Sequence, residues 1–173
     1  MKKIFDNMRL SKEEYYLEIA KAVAKRSTCL RRKYGAVIVK NDAIVSTGYN
    51  GPARGVINCE EVGCLKDLMN APHYSGYEFC TAVHAEENAI INAARYGASV
   101  MDATLFIYGE DAKNGNLCEA KPCDRCKRAI INSGIKKVII KKANGSIERI
   151  DVKRWVKEDS EKYIKRLREA RKT

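Results

Sequence analysis

The spacing of apolar residues changes several times along the chain, and each change marks an element. Residues 12–25 carry Tyr15, Tyr16, Ile19 and Val23 at helical spacing behind "SKEE" (11–14), a Ser-x-x-Glu capping box, so an amphipathic helix is predicted there. "YGAVIVK" (34–40) and "AIVSTGY" (43–49) are apolar, β-branched runs separated by Asn41-Asp42, the pattern of a β-hairpin. From residue 50 to 81 no period persists. Glycine, proline, asparagine and three cysteines fill a stretch too long for an ordinary loop, so something other than a repeating apolar face must organise it.

Regularity returns with a helix predicted from about Ala82 to Tyr96 and stopped by Gly97, then a strand "ATLFIY" (103–108) and a polar loop through Lys121. Pro122 suits a first helical position, and the helix runs to about Ser133 with Gly134 beyond it. "KKVIIKK" (136–142) is a buried-type strand, "ANGS" a turn, and "IERI" (147–150) a short strand. Residues 151–173 place Val152, Trp155, Val156, Tyr163, Leu167 and Ala170 along one stripe, with nine Lys/Arg and five Asp/Glu elsewhere. That is an amphipathic helix expected to dock by its apolar side, its basic face solvated rather than binding RNA. The order β-β-α-β-α-β predicts the α/β class, a three-layer α/β/α fold with a central mixed sheet. One domain spanning residues 1–173 is expected, with 151–173 as its C-terminal helix.

Composition narrows the setting. A length of 173 residues with 45% hydrophobic content suffices for one core. The start of the chain has no long apolar run and no membrane-length uncharged segment follows, so a cytoplasmic protein without a membrane partner is expected. Seven cysteines without an export signal point to metal ligation rather than disulfides. The formal charge of +11 suits phosphate-bearing partners without choosing between nucleotide and nucleic acid.

"PCDRC" puts Cys123 and Cys126 three apart at a helix start, both thiols on one side and near the positive end of the helix dipole, where thiolates are favoured. Alone such a pair is weak evidence. "VHAEENAI" (83–90) supplies the partner: His84 with two thiolates makes three protein ligands and leaves a fourth tetrahedral position open, as catalytic zinc requires. A nearby glutamate off the metal then serves as base. Helical geometry does not choose between Glu86 and Glu87: Glu87 shares the side of His84 on an ideal helix, whereas Glu86 reaches a metal only beyond the helix end.

The combination H-x-E with P-C-x-x-C is the established signature of the zinc nucleobase deaminases, and the sequence resembles the cytidine deaminase superfamily. Within it, "RSTCLRRKYGAVIVKND", "STGYNG", "HAEENAIINAARYGAS" and "INSGIKKVII" are similar to deoxycytidylate (dCMP) deaminases and to their competence-associated relatives, across most of residues 15–141. The tRNA adenosine deaminases share HAE and PCxxC but are not expected to carry the Arg-Ser-x-Cys and Thr-Gly-Tyr-Asn-Gly blocks.

The resemblance implies a cytidine deaminase-like fold and zinc-dependent hydrolysis of dCMP to dUMP and ammonia. It assigns proton transfer to Glu86, leaving Glu87 a bystander, and Zn²⁺ to His84, Cys123 and Cys126. Asn50 matches the asparagine that holds the sugar, though an asparagine before Gly51 also suits a plain turn. Arg26, Ser27 and the basic run Arg31 to Lys33 are the groups available to the 5′-phosphate. Arg95 matches a position associated with activation by dCTP and inhibition by dTTP, and a homo-oligomer, hexamer or dimer, is implied. By likeness to a phage branch, Cys29 and Cys59, completed by Cys64 and Cys80 or with His73 as alternative fourth ligand, hold a second, structural zinc. Cys118 is read as a spare thiol in a long loop (109–121) that borders the site. The alternatives are deamination of another cytosine nucleotide or of tRNA adenosine, or a non-catalytic nucleotide-binding or DNA-uptake accessory protein. Nucleic acid is otherwise not an expected partner.

Overall fold

The computed structural model describes residues 9–72 and 75–172. Its first helix, α1 (Lys12–Ala24), starts at the capping box: the Ser11 hydroxyl accepts from Glu14 N–H and the Glu14 carboxylate from Ser11 N–H, each at 3.2 Å. The hairpin follows as β1 (Arg32–Lys40) and β2 (Ala43–Tyr49). Asn41 and Asp42 at its tip have φ of 50° and 61°, the left-handed pair whose twist matches that of the flanking strands.

Residues 51 to 83 resolve into short pieces: β3 (Gly51–Pro52), α2 (Cys59–Val62), α3 (Leu65–Leu68), a single 3₁₀ turn at Tyr77–Phe79 and β4 (Ala82–Val83). Then come α4 (Ala85–Arg95), β5 (Thr104–Asp111), α5 (Asp124–Asn132), β6 (Lys137–Lys141), β7 (Ile147–Asp151) and α6 (Val152–Ala170). The main sheet has the order β2-β1-β5-β6-β7, with β5 and β6 parallel and every other pair antiparallel. It is therefore mixed, and α5 is the crossover that its parallel pair requires.

Alternation along the central strands gives the sheet two buried faces. Val37, Val39, Phe106, Tyr108 and Ile139 pack with Tyr16, Leu17, Ala20 and Ala24 of α1 on one side. Ala36, Ile38, Leu105, Ile107, Val138 and Ile140 pack on the other with α4, with Ile130 of α5 and with Trp155 of α6. Three layers result, as the element order predicted.

Helix α4 lies close to the sheet because it presents Ala85, Ala89 and Ala93 at spacing four, each at most 2% exposed. Gly48 of β2 completes the fit: a Cβ there would stand 2.3 Å from Ala89 N and 2.4 Å from Ala85 O. The buried Ser46 hydroxyl donates to Ala89 O at 2.5 Å, and Asn88 and Asn92 donate to Tyr49 O and Thr47 O at 2.7 and 2.8 Å. Gly48→Ala must push α4 off the strand, because only backbone stands in the way. We expect it to cost about 2–3 kcal/mol, read as a lower urea midpoint at unchanged slope; an unchanged midpoint would show that α4 is not so tightly seated.

Three boundaries differ from the sequence reading. Ala82 and Val83 pair with Pro52 and Gly51 as a strand, so α4 begins at Ala85 and not at 82. Pro122 lies two residues before α5, whose N-cap is Cys123, so it is not the first helical residue. Helix α6 docks only through its first turns, where Val152 and Trp155 are buried and Lys127 meets Asp159 at 2.5 Å. Farther along, Tyr163, Ile164 and Leu167 are 65, 48 and 38% exposed. The reason is length: at about 1.5 Å per residue a 19-residue helix overhangs the nine-residue α5 beneath it. Among the described residues no helix is long and apolar enough to cross a membrane.

Candidate metal centre and its cleft

The two-stranded ladder of β3 and β4 is what assembles the site. Gly51 pairs with Val83 in antiparallel register, so Asn50, just before β3, falls opposite His84, just after β4. His84 is then the N-cap of α4, and Cys123 is the N-cap of α5 with Cys126 one turn on. Two helix N-termini thus converge, and their dipoles favour negative charge at the point between them.

The His84 Nδ1 atom lies 3.5 Å from Cys123 Sγ and 3.3 Å from Cys126 Sγ. These three donors, all within 4.8 Å of one another, are the one such group drawn together among the described residues. Cys126 is fully buried, and Cys123 and His84 are half-buried. The hydrogen bond from Cys126 holds the Cys123 thiol down to about 3, and the reciprocal bond together with burial pushes Cys126 well up. His84 is raised, first by its hydrogen bond with Cys123.

One imidazole and two sulfurs suit zinc in donor type, and three protein ligands are the number left by an open catalytic position. Glu86, in the first turn of α4, is 7% exposed and raised by burial away from the usual carboxylate range. It lines the cleft with His84 and Cys123 and is not one of the three clustered donors.

The cleft, of about 140 Å³, is closed by pieces of the irregular segment and of the loop before α5. Arg31, Arg32, Lys66 and Lys121 bring four cations to its wall, against the single carboxylate of Glu86. Tyr34 and Tyr77 add aromatic surface, the Tyr77 ring lying 5.7 Å from that of His84.

Asn50 is on the wall and 7% exposed. Its Oδ1 accepts from Tyr34 N–H at 2.7 Å and its Nδ2 donates to Arg32 O at 2.9 Å, which leaves one donor and one lone pair for a ligand. Arg26 is exposed and Ser27 buried, its hydroxyl accepting from Cys29 N–H at 3.3 Å; neither lines the cleft. The turn after α1 aims them elsewhere, and the next two arginines, Arg31 and Arg32, are the ones of this stretch that face the cleft. Arg95 is exposed at the last residue of α4, the opposite end from His84.

Cys29, Cys59, Cys64 and Cys80 share the cleft wall, and the Cys59 thiol is raised by burial and then by the three others around it. The four do not form a group drawn in as closely as the histidine site. His73 lies outside the described residues. Cys118 is buried, with its sulfur 3.8 Å from Asn116 O and apart from the donor cluster. The loop that holds it does border the site, through Ala120 and Lys121.

Sequence reasoning missed three contributors. Glu87 is tied to Arg125 at 2.6 Å and accepts from His84 N–H at 3.5 Å, so it fastens the starts of α4 and α5 together. Lys66 and Tyr77 come from a stretch without periodicity, and no local signal marked them.

The family described as the cytidine and deoxycytidylate deaminase zinc-binding region matches residues 10–142. Deoxycytidylate deaminase of Schizosaccharomyces pombe is 36% identical over 136 residues, 78% of this chain. The chain spans only 38% of that relative's length. Deoxycytidylate deaminase of Mycobacterium phage D29 is 38% identical over 135 residues, covering 75% of this chain and 94% of the phage protein. Among solved structures, the dCMP deaminase of cyanophage S-TIM5 in complex with dCMP and dUMP superposes with a TM-score of 0.56 at 28% identity, over 77% of this chain and 82% of that one. A match across both converging helix starts, and across the strands that carry them, is more than two short motifs can give by chance: the chain belongs to the cytidine and deoxycytidylate deaminase zinc-binding family.

Proposed function

We propose that this protein hydrolyses dCMP to dUMP and ammonia. The observation that carries the reading is the clustering of His84, Cys123 and Cys126 beside a buried glutamate that stands outside that set, in a cation-lined cleft. The likeness to deoxycytidylate deaminases and to a structure holding dCMP and dUMP supports the nucleotide.

In this reading His84, Cys123 and Cys126 would hold Zn²⁺, which would supply Lewis acidity at the reacting carbon and water. Glu86 accepts one proton from the water that attacks C4 and gives it to N3 of the pyrimidine, then takes the second from the new C4 hydroxyl and gives it to the amine as the C4–N bond breaks, leaving the C4 carbonyl of dUMP and ammonia. Its burial fits that double duty, because a carboxyl group poised above its usual range both takes and returns a proton. Asn50 holds the sugar with its remaining donor and lone pair, and Arg31 and Arg32 face the phosphate end. Glu87 and Arg125 keep the two ligand-bearing helices in register.

Further features extend the proposal. Cys29, Cys59, Cys64 and Cys80 hold a second, structural zinc that pins the segment between β3 and β4; their gathering around Cys59 supports this. Arg95, exposed and remote from the cleft, is available to dCTP or dTTP or to a neighbouring subunit of a homo-oligomer, a hexamer or dimer. We place the protein in the cytoplasm, as one deaminase domain.

The intact donor set weighs against a non-catalytic accessory role. Ammonia release from the zinc-loaded protein with dCMP, CMP, dCTP, deoxycytidine and a tRNA arm tests the reading. The largest rate is expected with dCMP; release from tRNA alone, or from none, would overturn it.

A further inference from the structure

One cation of the cleft has its charge left to a ligand. Lys66, in α3, is only 9% exposed, and its side chain lines the same cleft as His84 and Glu86. Its ammonium stands 5.0 Å over the Tyr77 ring, which in turn lies 5.7 Å from the His84 ring. Among the described residues no carboxylate takes up this charge, since the adjacent Asp67 meets Arg31 at 3.3 Å. A buried ammonium is costly without an anion, and an aromatic face offsets only part of that cost.

Arg31 stands on the same side. Its guanidinium is held to the segment by Asp67 and by Ala71 O at 3.0 Å, while Ala71 N–H donates to Lys66 O at 2.8 Å. The two cations are therefore fastened to one short stretch of backbone and open on one cavity. A phosphate monoester carries nearly two negative charges and three acceptor oxygens, which matches a pair of converging cations better than a carboxylate does.

We infer that Lys66, with Arg31 beside it, is the phosphate anchor of this site, and that Tyr77 stands between that anchor and the pyrimidine. This rests on the deaminase reading given above. The order ammonium, phenol ring, imidazole lays out phosphate, sugar and base along one nucleotide. The segment that lacks periodicity thus supplies the groups that read the phosphate end of the substrate.

Isothermal titration of the zinc-loaded protein with dUMP and with deoxyuridine tests the anchor without needing turnover. Lys66→Met keeps the packing against Tyr77 and removes the charge. It should weaken dUMP about tenfold to a hundredfold and leave deoxyuridine unchanged, and Lys66→Arg should recover most of the loss. Unchanged dUMP affinity in Lys66→Met, or an equal loss for both ligands, would overturn the inference. The two readings fail separately: a protein with this dUMP preference that releases no ammonia from dCMP keeps the anchor and sinks the deaminase, and the reverse result sinks only the anchor.

Discussion

Glu86→Gln should keep its zinc and its fold and lose turnover by at least about a thousandfold. The side chain is 7% exposed in the first turn of α4, packed beside His84, so an isosteric amide fits the space without a cavity. It also removes a buried charge, so folding stability should hold or rise. What disappears is the group that takes and returns protons in the proposed mechanism, a role worth about two to four orders of magnitude in rate where one side chain performs it. The proposed mechanism has the same carboxylate serve more than one transfer, which places the expected loss toward the upper end. Zinc content and initial rate measured on one preparation decide the matter. A variant that turns over normally, or one that has lost its metal, would mean that Glu86 is a structural or ligating group. Glu87→Gln is the matched comparison: its pair with Arg125, whose side chain is 53% exposed, is worth less than about 1 kcal/mol, and turnover should survive.

Cys126→Ser should abolish metal binding and activity together and expose how far zinc stabilises the fold. The sulfur is wholly buried at the convergence of α4 and α5. A hydroxyl there is a poor zinc donor and an unsatisfied polar group as well. Because the site forms only in the folded state, bound metal adds to stability by mass action, by about 2.7 kcal/mol when free zinc stands a hundredfold above its dissociation constant. A chelator should therefore lower the melting temperature of the wild-type protein by more than that of Cys126→Ser, which has only the four-cysteine zinc left to lose. Equal falls in both would place the stabilising metal elsewhere, the four-cysteine wall being the first place to look.

What the sequence revealed, and what it hid, follows from how local each interaction is. The capping box at Ser11 and Glu14, the Asn41-Asp42 turn and the alternation of β1 and β5 are contacts between near neighbours, and they were legible. So was the donor set, since His84 and the cysteine pair each sit at a helix start whose residue types betray them. The Glu87–Arg125 pair joins residues 38 apart and has no local mark, so Glu87 read as idle. Lys66 and Tyr77 lie where no period exists. The two-residue ladder of β3 and β4 was hidden for the same reason, although it sets Asn50 against His84. The docking of α6 was overestimated because a stripe of apolar residues tells which side a helix would bury, not how much body there is to bury it against.

The most direct test of the central claim, water attack on C4 of a cytosine nucleotide, is the mass of the dUMP formed when the zinc-loaded protein acts on dCMP in water enriched with heavy oxygen. The account predicts dUMP with one solvent oxygen at O4 and an equal amount of ammonia, formed by the wild-type protein and not by Glu86→Gln. No dUMP, or dUMP whose O4 carries no solvent label, would contradict it.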